Sequence, residues 1–264
     1  MVNSFPQVVT IAGSDSDGSA GAQADLKTFQ ARKVYGMSIL TAAVAGNSYG
    51  IYDSVTMPAN FIDSQFATMA KDFKVRAFKT GMLANSGMIL TVIKNLKKYR
   101  FPNFILDPVI ITKHGDLLLE DSAYQTLVAQ LLPMALLITP NFFEAQKLAD
   151  MEIIDNDDIK TAAHKLQNLG VKNVLIKGKH DADHQTATDY VLMADGSDFW
   201  LTEKTVNTKH INGTGDTLSA CITAELAKGK SLATSIKIAK KYTHNAIMNE
   251  IDVGHKYGPI NHLV

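Results

Sequence analysis

Cysteine is almost missing: Cys221 is the single one in 264 residues. One thiol forms neither an internal disulfide nor a thiolate metal cluster, which suits a reducing compartment. An excess of one charge is missing too. Lys plus Arg and Asp plus Glu number 26 each, so the balance gives no argument for nucleic acid or an anionic membrane. It leaves room for a local basic site facing a phosphorylated ligand. No apolar run approaches the length of a membrane span, and Met1 to Thr10 lacks a basic stretch followed by a long apolar one. A cytoplasmic protein is expected, with no nucleic-acid or membrane partner. Linkers, repeats and low-complexity tracts are absent as well, so one domain over 1–264 is the simplest account. Eight histidines are scattered without zinc-motif spacing, and none is assigned to a metal.

What is present is a core. Apolar residues make up 46% of the chain, which excludes disorder. Short apolar runs alternate with helical patterns. Val8–Ala12, Ser38–Ala45, Ala77–Thr80, Phe104–Leu106, Leu136–Ile138 and Val174–Ile176 read as strands. Ala20–Lys33, Phe61–Lys71, Met88–Tyr99, Asp121–Leu131, Asn141–Met151, Ile159–Leu169, Thr214–Lys228 and Leu232–Ile247 read as helices. Thr188–Met193 and Ser197–Leu201 read as a hairpin around Asp195-Gly196. This alternation predicts an α/β fold with a mostly parallel central sheet and helices on both faces. Ligands of such sheets bind beyond the carboxyl ends of the strands, where each polar motif falls.

Gly213-Thr214-Gly215-Asp216 opens a helix. Its glycines bring backbone N–H groups close to a ligand, and a helix N-terminus favours phosphate. Asp216 stands where a carboxylate accepts a hydroxyl proton as the alcohol attacks a γ-phosphate. Locally, Thr214 or Asp216 as a mere helix cap explains the motif equally well. Gly13-Ser14-Asp15-Ser16-Asp17-Gly18 follows the first strand and lacks the Lys of a P-loop; it suits a polar small molecule, with Asp15 on a hydroxyl, or a plain connection. Asp107-Pro108-Val109 and Thr139-Pro140-Asn141 with Glu144 end two further strands. Carboxylates at those turns suit hydrated Mg²⁺ beside a triphosphate, and Asn141 suits phosphate; Glu144 is also explained as an ordinary first-turn helix charge. Lys177-Gly178-Lys179-His180 suits nucleotide phosphates or is a solvated charge run. Met82, in Lys79-Thr80-Gly81-Met82-Leu83, suits an apolar ring or plain core.

These segments run in order over almost the whole chain, closing with Gly258-Pro259 and Asn261-His262. Together they resemble the ribokinase-like superfamily, in the branch of bacterial pyridoxine/pyridoxal kinases and hydroxymethylpyrimidine (phosphate) kinases. The resemblance implies a three-layer α/β/α domain using ATP and Mg²⁺. It implies Asp216 as catalytic base, with an anion hole from Gly213, Thr214 and Gly215. It places Asp107 and Glu144 near the metal, and Asn141, Lys177, Asp189 and Thr208 along the nucleotide. Gly13, Asp15, Asn47, Met82 and Val109 would line the vitamin ring, and a homodimer is usual. Two positions depart from the branch. Asp216 stands where close relatives usually carry Cys, which restores a carboxylate base and removes a thiol that traps an aldehyde. Ala45-Gly46-Asn47 replaces an Ala-Gln-Asn whose Gln pairs with an aminopyrimidine. Gly46 cannot make that contact, so a vitamin B6 ring is expected over hydroxymethylpyrimidine. A sugar kinase and a non-catalytic binding protein on the kinase fold are weaker readings, the latter opposed by Asp216 between intact glycines.

Overall fold

The computed structural model describes residues 2–111, 119–179 and 185–264. Its centre is a nine-stranded sheet in the order β3-β2-β1-β4-β5-β6-β7-β8-β9. The strands are β1 (Gln7–Asp15), β2 (Tyr35–Asn47), β3 (Gly50–Thr56), β4 (Ala77–Thr80), β5 (Phe104–Leu106), β6 (Leu137–Ile138), β7 (Asn173–Ile176), β8 (Thr186–Leu192) and β9 (Asp198–Lys204). From β2 through β7 every pairing is parallel. The edges are antiparallel: β3 on β2 at one side, β8 and β9 at the other.

The helices are α1 (Gly21–Ala31), α2 (Ala59–Asp72), α3 (Ser86–Tyr99), α4 (Asp121–Thr126), α5 (Phe142–Ala149), α6 (Asn156–Asn168), α7 (Thr214–Ala227) and α8 (Leu232–Met248). Strand pleating divides their packing. Phe104 and Leu106 of β5 face the layer of α2 to α6, with Phe66, Ile89, Ala145 and Ala162. Ile105, between them, faces the other layer with Leu218, Cys221 and Ile236 of α7 and α8. Phe29 of α1 packs there against Ala220 and Ala224. Both faces of the parallel strands are thus covered, as their unbroken apolar runs predict. The α/β expectation and its parallel sheet hold.

The departures are local. β3 is unforeseen; every one of its residues is exposed, so it buries no face and leaves no clean alternation to read. The helix expected over Asp121–Leu131 is α-helical only to Thr126, then widens to a π-turn over Leu127–Leu131. α6 starts three residues before Ile159, because Asp155 and Asp158 form a reciprocal capping box. Among the described residues no helix is long and apolar enough to cross a membrane.

Candidate active site

The ends of six parallel strands and the start of α7 lie along the carboxyl edge. α7 begins after Gly213, whose φ of 80° lies in the left-handed region. A side chain there would also collide with the Ser19 carbonyl, so the loop after β1 sits directly against this turn and only glycine fits. Asp216 lies in the first turn of α7 with its side chain 21% exposed. Lys177, just past β7, and Asp107, just past β5, close on the same turn: a Cβ built on Gly215 lies 3.4 Å from Lys177 Nζ and 3.7 Å from Asp107 Oδ2. Lys177 Nζ is 3.5 Å from Asp107 Oδ1, and Ser219, one turn along α7, donates from Oγ to Asp107 Oδ2 at 3.2 Å.

Beneath Asp216 lies a cluster absent from the sequence expectation. Lys79 is fully buried in β4 and donates to Asp25 Oδ1 of α1 at 2.7 Å. Thr10 of β1 donates to Asp25 Oδ2 at 2.6 Å. The same ammonium lies 3.7 Å from Asp216 Oδ1. Burial opposes the Lys79 charge, but Asp25, Asp216 and Asp107 outweigh it and hold the ammonium above its ordinary value. Burial also pushes the Asp25 carboxyl up, against the pull of Lys79. Asp216 is raised by burial, opposed by Lys79, raised again by Asp107, and opposed by Lys177. A signal was available: a Lys inside the four-residue strand Ala77–Thr80, buried on both faces, demands a counter-charge.

Glu144 is buried in the first turn of α5. Its Oε2 accepts from Asn141 N at 2.7 Å and its Oε1 from Ile110 N at 2.8 Å. The carboxylate therefore braces the turn after β5 against the turn after β6. Asn141 caps α5 by accepting from Glu144 N and donates from Nδ2 to the Ile111 carbonyl. Val109 takes a φ of 47°, a left-handed conformation that is costly for a β-branched residue. Glu144 holds that turn from its far side through Ile110.

Asp189 stands behind the turn after β7. Buried in β8, it accepts from Gly178 N at 3.1 Å and from Lys240 Nζ at 2.8 Å. A side chain at Gly178 would collide with the Thr188 carbonyl, so that turn packs directly on β8. Thr208 accepts from His210 N at 2.9 Å in the loop leading to α7. His180 lies outside the described residues.

The other side of the site is built from β1, β2 and the segment after β4. Met82 Cε lies 3.1 Å from a Cβ built on Gly13. Asp15, at the end of β1, accepts from Ala20 N at 3.2 Å, and burial first, then Asp17, raises its carboxyl. Gln23 ties the same loop down, donating to Ser14 Oγ and accepting from Asp15 N. Gly46 is pinned at both backbone atoms by Ser16 Oγ, at 2.9 Å each. Asn47 is exposed and accepts from Tyr49 N in the β2–β3 turn.

The C-terminal segment straps these halves together. Asn212, immediately before Gly213, bridges in parallel to Pro259, and Tyr257 N donates to the Ser48 carbonyl in the β2–β3 turn. His262, buried, pairs through Nε2 with Thr217 Oγ1 at 3.0 Å. Burial first, then Lys27, lowers its imidazole to about 4, so it stays neutral near neutrality.

Among the described residues no three His, Cys, Asp or Glu side chains are grouped to cage a metal. Mg²⁺ keeps its waters and needs one or two carboxylates beside phosphate oxygens. Asp107 has the chemistry for it. A nearby threonine hydroxyl, Thr139 Oγ1 at the end of β6, is buried without a protein partner among the described residues and is available to a bound water.

Comparison with known proteins fits this geometry. A family model described as phosphomethylpyrimidine kinase matches residues 15–261. A hydroxymethylpyrimidine/phosphomethylpyrimidine kinase of Haemophilus influenzae is 45% identical over 99% of this chain and 98% of its own length. A Bacillus subtilis pyridoxal kinase, solved as an ADP complex, superposes with a TM-score of 0.90 at 37% identity, covering 98% of each chain. A phosphomethylpyrimidine kinase from Clostridium difficile superposes with a TM-score of 0.81 at 37% identity, over 91% of this chain and 99% of its own. The preference for a vitamin B6 ring is thereby corrected. The family match and the Haemophilus relative carry the pyrimidine name, against the reading drawn from Gly46. The physical reason lies in what a glycine reports. Gly46 removes one side-chain contact, but it rejects nothing, and Asp15 Oδ1 comes within 3.7 Å of where a Cβ would stand.

Proposed function

We propose that this chain, which belongs to the phosphomethylpyrimidine kinase family, moves the γ-phosphoryl of ATP onto the hydroxymethyl group of hydroxymethylpyrimidine. The resulting monophosphate is its second acceptor, in keeping with the dual name of its relatives. The observation that carries the kinase reading is the meeting of Asp216, Lys177 and Asp107 on the first turn of α7.

In this reading Asp216 takes the hydroxyl proton as the acceptor oxygen bonds to phosphorus. Gly213, Thr214 and Gly215 present backbone N–H groups to the charge spreading over the transferring phosphoryl. Lys177 adds a cation on the same side. Asn141 and Thr208 face the nucleotide, and Asp189 acts through the Gly178 turn it braces. Asp107, with Glu144 behind it, would hold Mg²⁺, which supplies charge neutralisation on the phosphates. Gly13, Asp15, Asn47, Met82 and Val109 would face the pyrimidine. The donor is the ATP of the cytoplasm.

The chain also works as a homodimer in this proposal. The exposed Ile51, Tyr52 and Val55 of β3 support an apolar contact beyond the sheet edge; light scattering of the Ile51→Asp variant, expected to be monomeric, tests it.

The acceptor is tested by a panel of hydroxymethylpyrimidine, its monophosphate, pyridoxine, pyridoxal and ribose, each with Mg-ATP. The highest kcat/KM belongs to hydroxymethylpyrimidine. Turnover confined to pyridoxine, pyridoxal or ribose, or to none of the five, would sink the assignment.

A further inference from the structure

The family's two steps ask opposite things of one position. In the first, the acceptor is an alcohol: its oxygen bonds to the γ-phosphorus, its proton leaves to a base, and the bond from that phosphorus to the bridging oxygen breaks to release ADP. In the second, the acceptor is a phosphate whose attacking oxygen is already deprotonated. The same phosphorus–oxygen bond breaks, a new one forms, and no proton needs a base. A carboxylate beside the attacking atom accelerates the first step and repels the anionic acceptor of the second.

The charges around Asp216 sharpen that contrast. Asp25, Asp107, Glu144 and Asp216 are four carboxylates, and among the described residues Lys79 and Lys177 are the cations set among them. Neither cation is set aside for a second phosphate, since Lys177 already serves the transferring phosphoryl in the reading above. Lys79 is 2.7 Å from Asp25 and 3.7 Å from Asp216, so its closer partner is Asp25. Lys177 is 3.5 Å from Asp107. Lys79 is also fully buried and enclosed by Asp25 and Thr10, and cannot swing out to meet a second phosphate.

We infer that Asp216 is a specificity-determining residue as well as the base: it biases this enzyme toward the alcohol acceptor and against the phosphate acceptor. The inference rests on the pyrimidine reading above. The expected pattern is a higher kcat/KM for hydroxymethylpyrimidine than for its monophosphate, reversed on losing the Asp216 charge.

The experiment measures kcat/KM of the purified full chain with Mg-ATP and each acceptor, for wild type, Asp216→Asn and Asp216→Ser. Loss of a general base costs about 10² to 10⁴ in rate, so both variants should lose at least about 100-fold on the alcohol. On the monophosphate they should change by less than about 10-fold, or gain. Thermal shift with Mg-ATP reports that each variant is folded, and two substitutions of different shape guard against one that misfolds. Parallel losses on both acceptors overturn the inference and leave the pyrimidine assignment standing. A wild type inactive on both acceptors but active on pyridoxine overturns the assignment and the inference with it.

Discussion

Replacing Lys79 by Met tests the buried cluster most directly. Methionine matches the length of the lysine stem and removes only the charge and its donors. In the native protein that ammonium is fully buried, 2.7 Å from Asp25 and 3.7 Å from Asp216. Its loss strands two carboxylates on the same side of the sheet. Breaking a buried pair by deleting one partner costs about 3–5 kcal/mol, because the remaining charge has no compensation. For a chain of this size each kcal/mol moves the melting temperature by about 2–4 °C, so Lys79→Met should melt about 10 °C lower. The double variant Lys79→Met/Asp25→Asn leaves no stranded charge at position 25. It should recover more than half of the loss, a coupling read from the cycle of four proteins by urea unfolding at pH 8. Turnover on hydroxymethylpyrimidine should fall in both, since Asp216 loses the cation that favours its ionised form. A single variant within about 1 kcal/mol of wild type, or a double variant no better than the single, would refute the pairing.

Two further outcomes follow from the same chemistry. His262 titrates near 4 in the fold because it is buried, against an ordinary value of about 6.5. The unfolded chain therefore binds the extra proton first as pH falls. The His262 contribution is complete above pH 6.5, is lost on the way down to about 4, and changes no further below. About 1.4 kcal/mol per unit makes that loss about 3 kcal/mol, and His262→Gln should flatten this part of the stability profile between pH 7 and pH 4. Cys221 is buried in α7, and burial pushes its thiol up to about 12. A thiol-specific reagent at pH 8 should leave the native enzyme unlabelled and fully active, and label it one-for-one in urea; rapid native labelling would contradict the packing.

Most of the fold could be read from the chain because buried parallel strands and amphipathic helices write themselves as apolar runs. Val8–Ala12 and Phe104–Leu106 are such runs, and both are strands. β3 could not be read: Gly50–Thr56 is held by pairing to β2 alone, with no buried face to leave a pattern. The strand-end motifs pointed to Asp216, Lys177 and Asp107, which do come together, because in this topology successive carboxyl ends share one edge. Lys79 and Asp25 went unread as a pair. They are far apart in sequence, and each looks like an ordinary charged residue until the packing of α1 on β4's neighbours encloses both. The ring identity is not legible, for a different reason. Gly46 reports a missing contact, while recognition depends on every polar group that remains.

The order of strands across the sheet separates two sets of proposed contacts. Residues proposed to face the acceptor come from positions 13 to 109, and those proposed to face the nucleotide from 141 to 208, on opposite flanks of β5. α7, the Glu144 brace and the C-terminal segment join the two. Drift in the first stretch can therefore change the molecule being modified while the second keeps its hold on a common donor. Structural neighbours named for pyridoxal and for phosphomethylpyrimidine share this sheet.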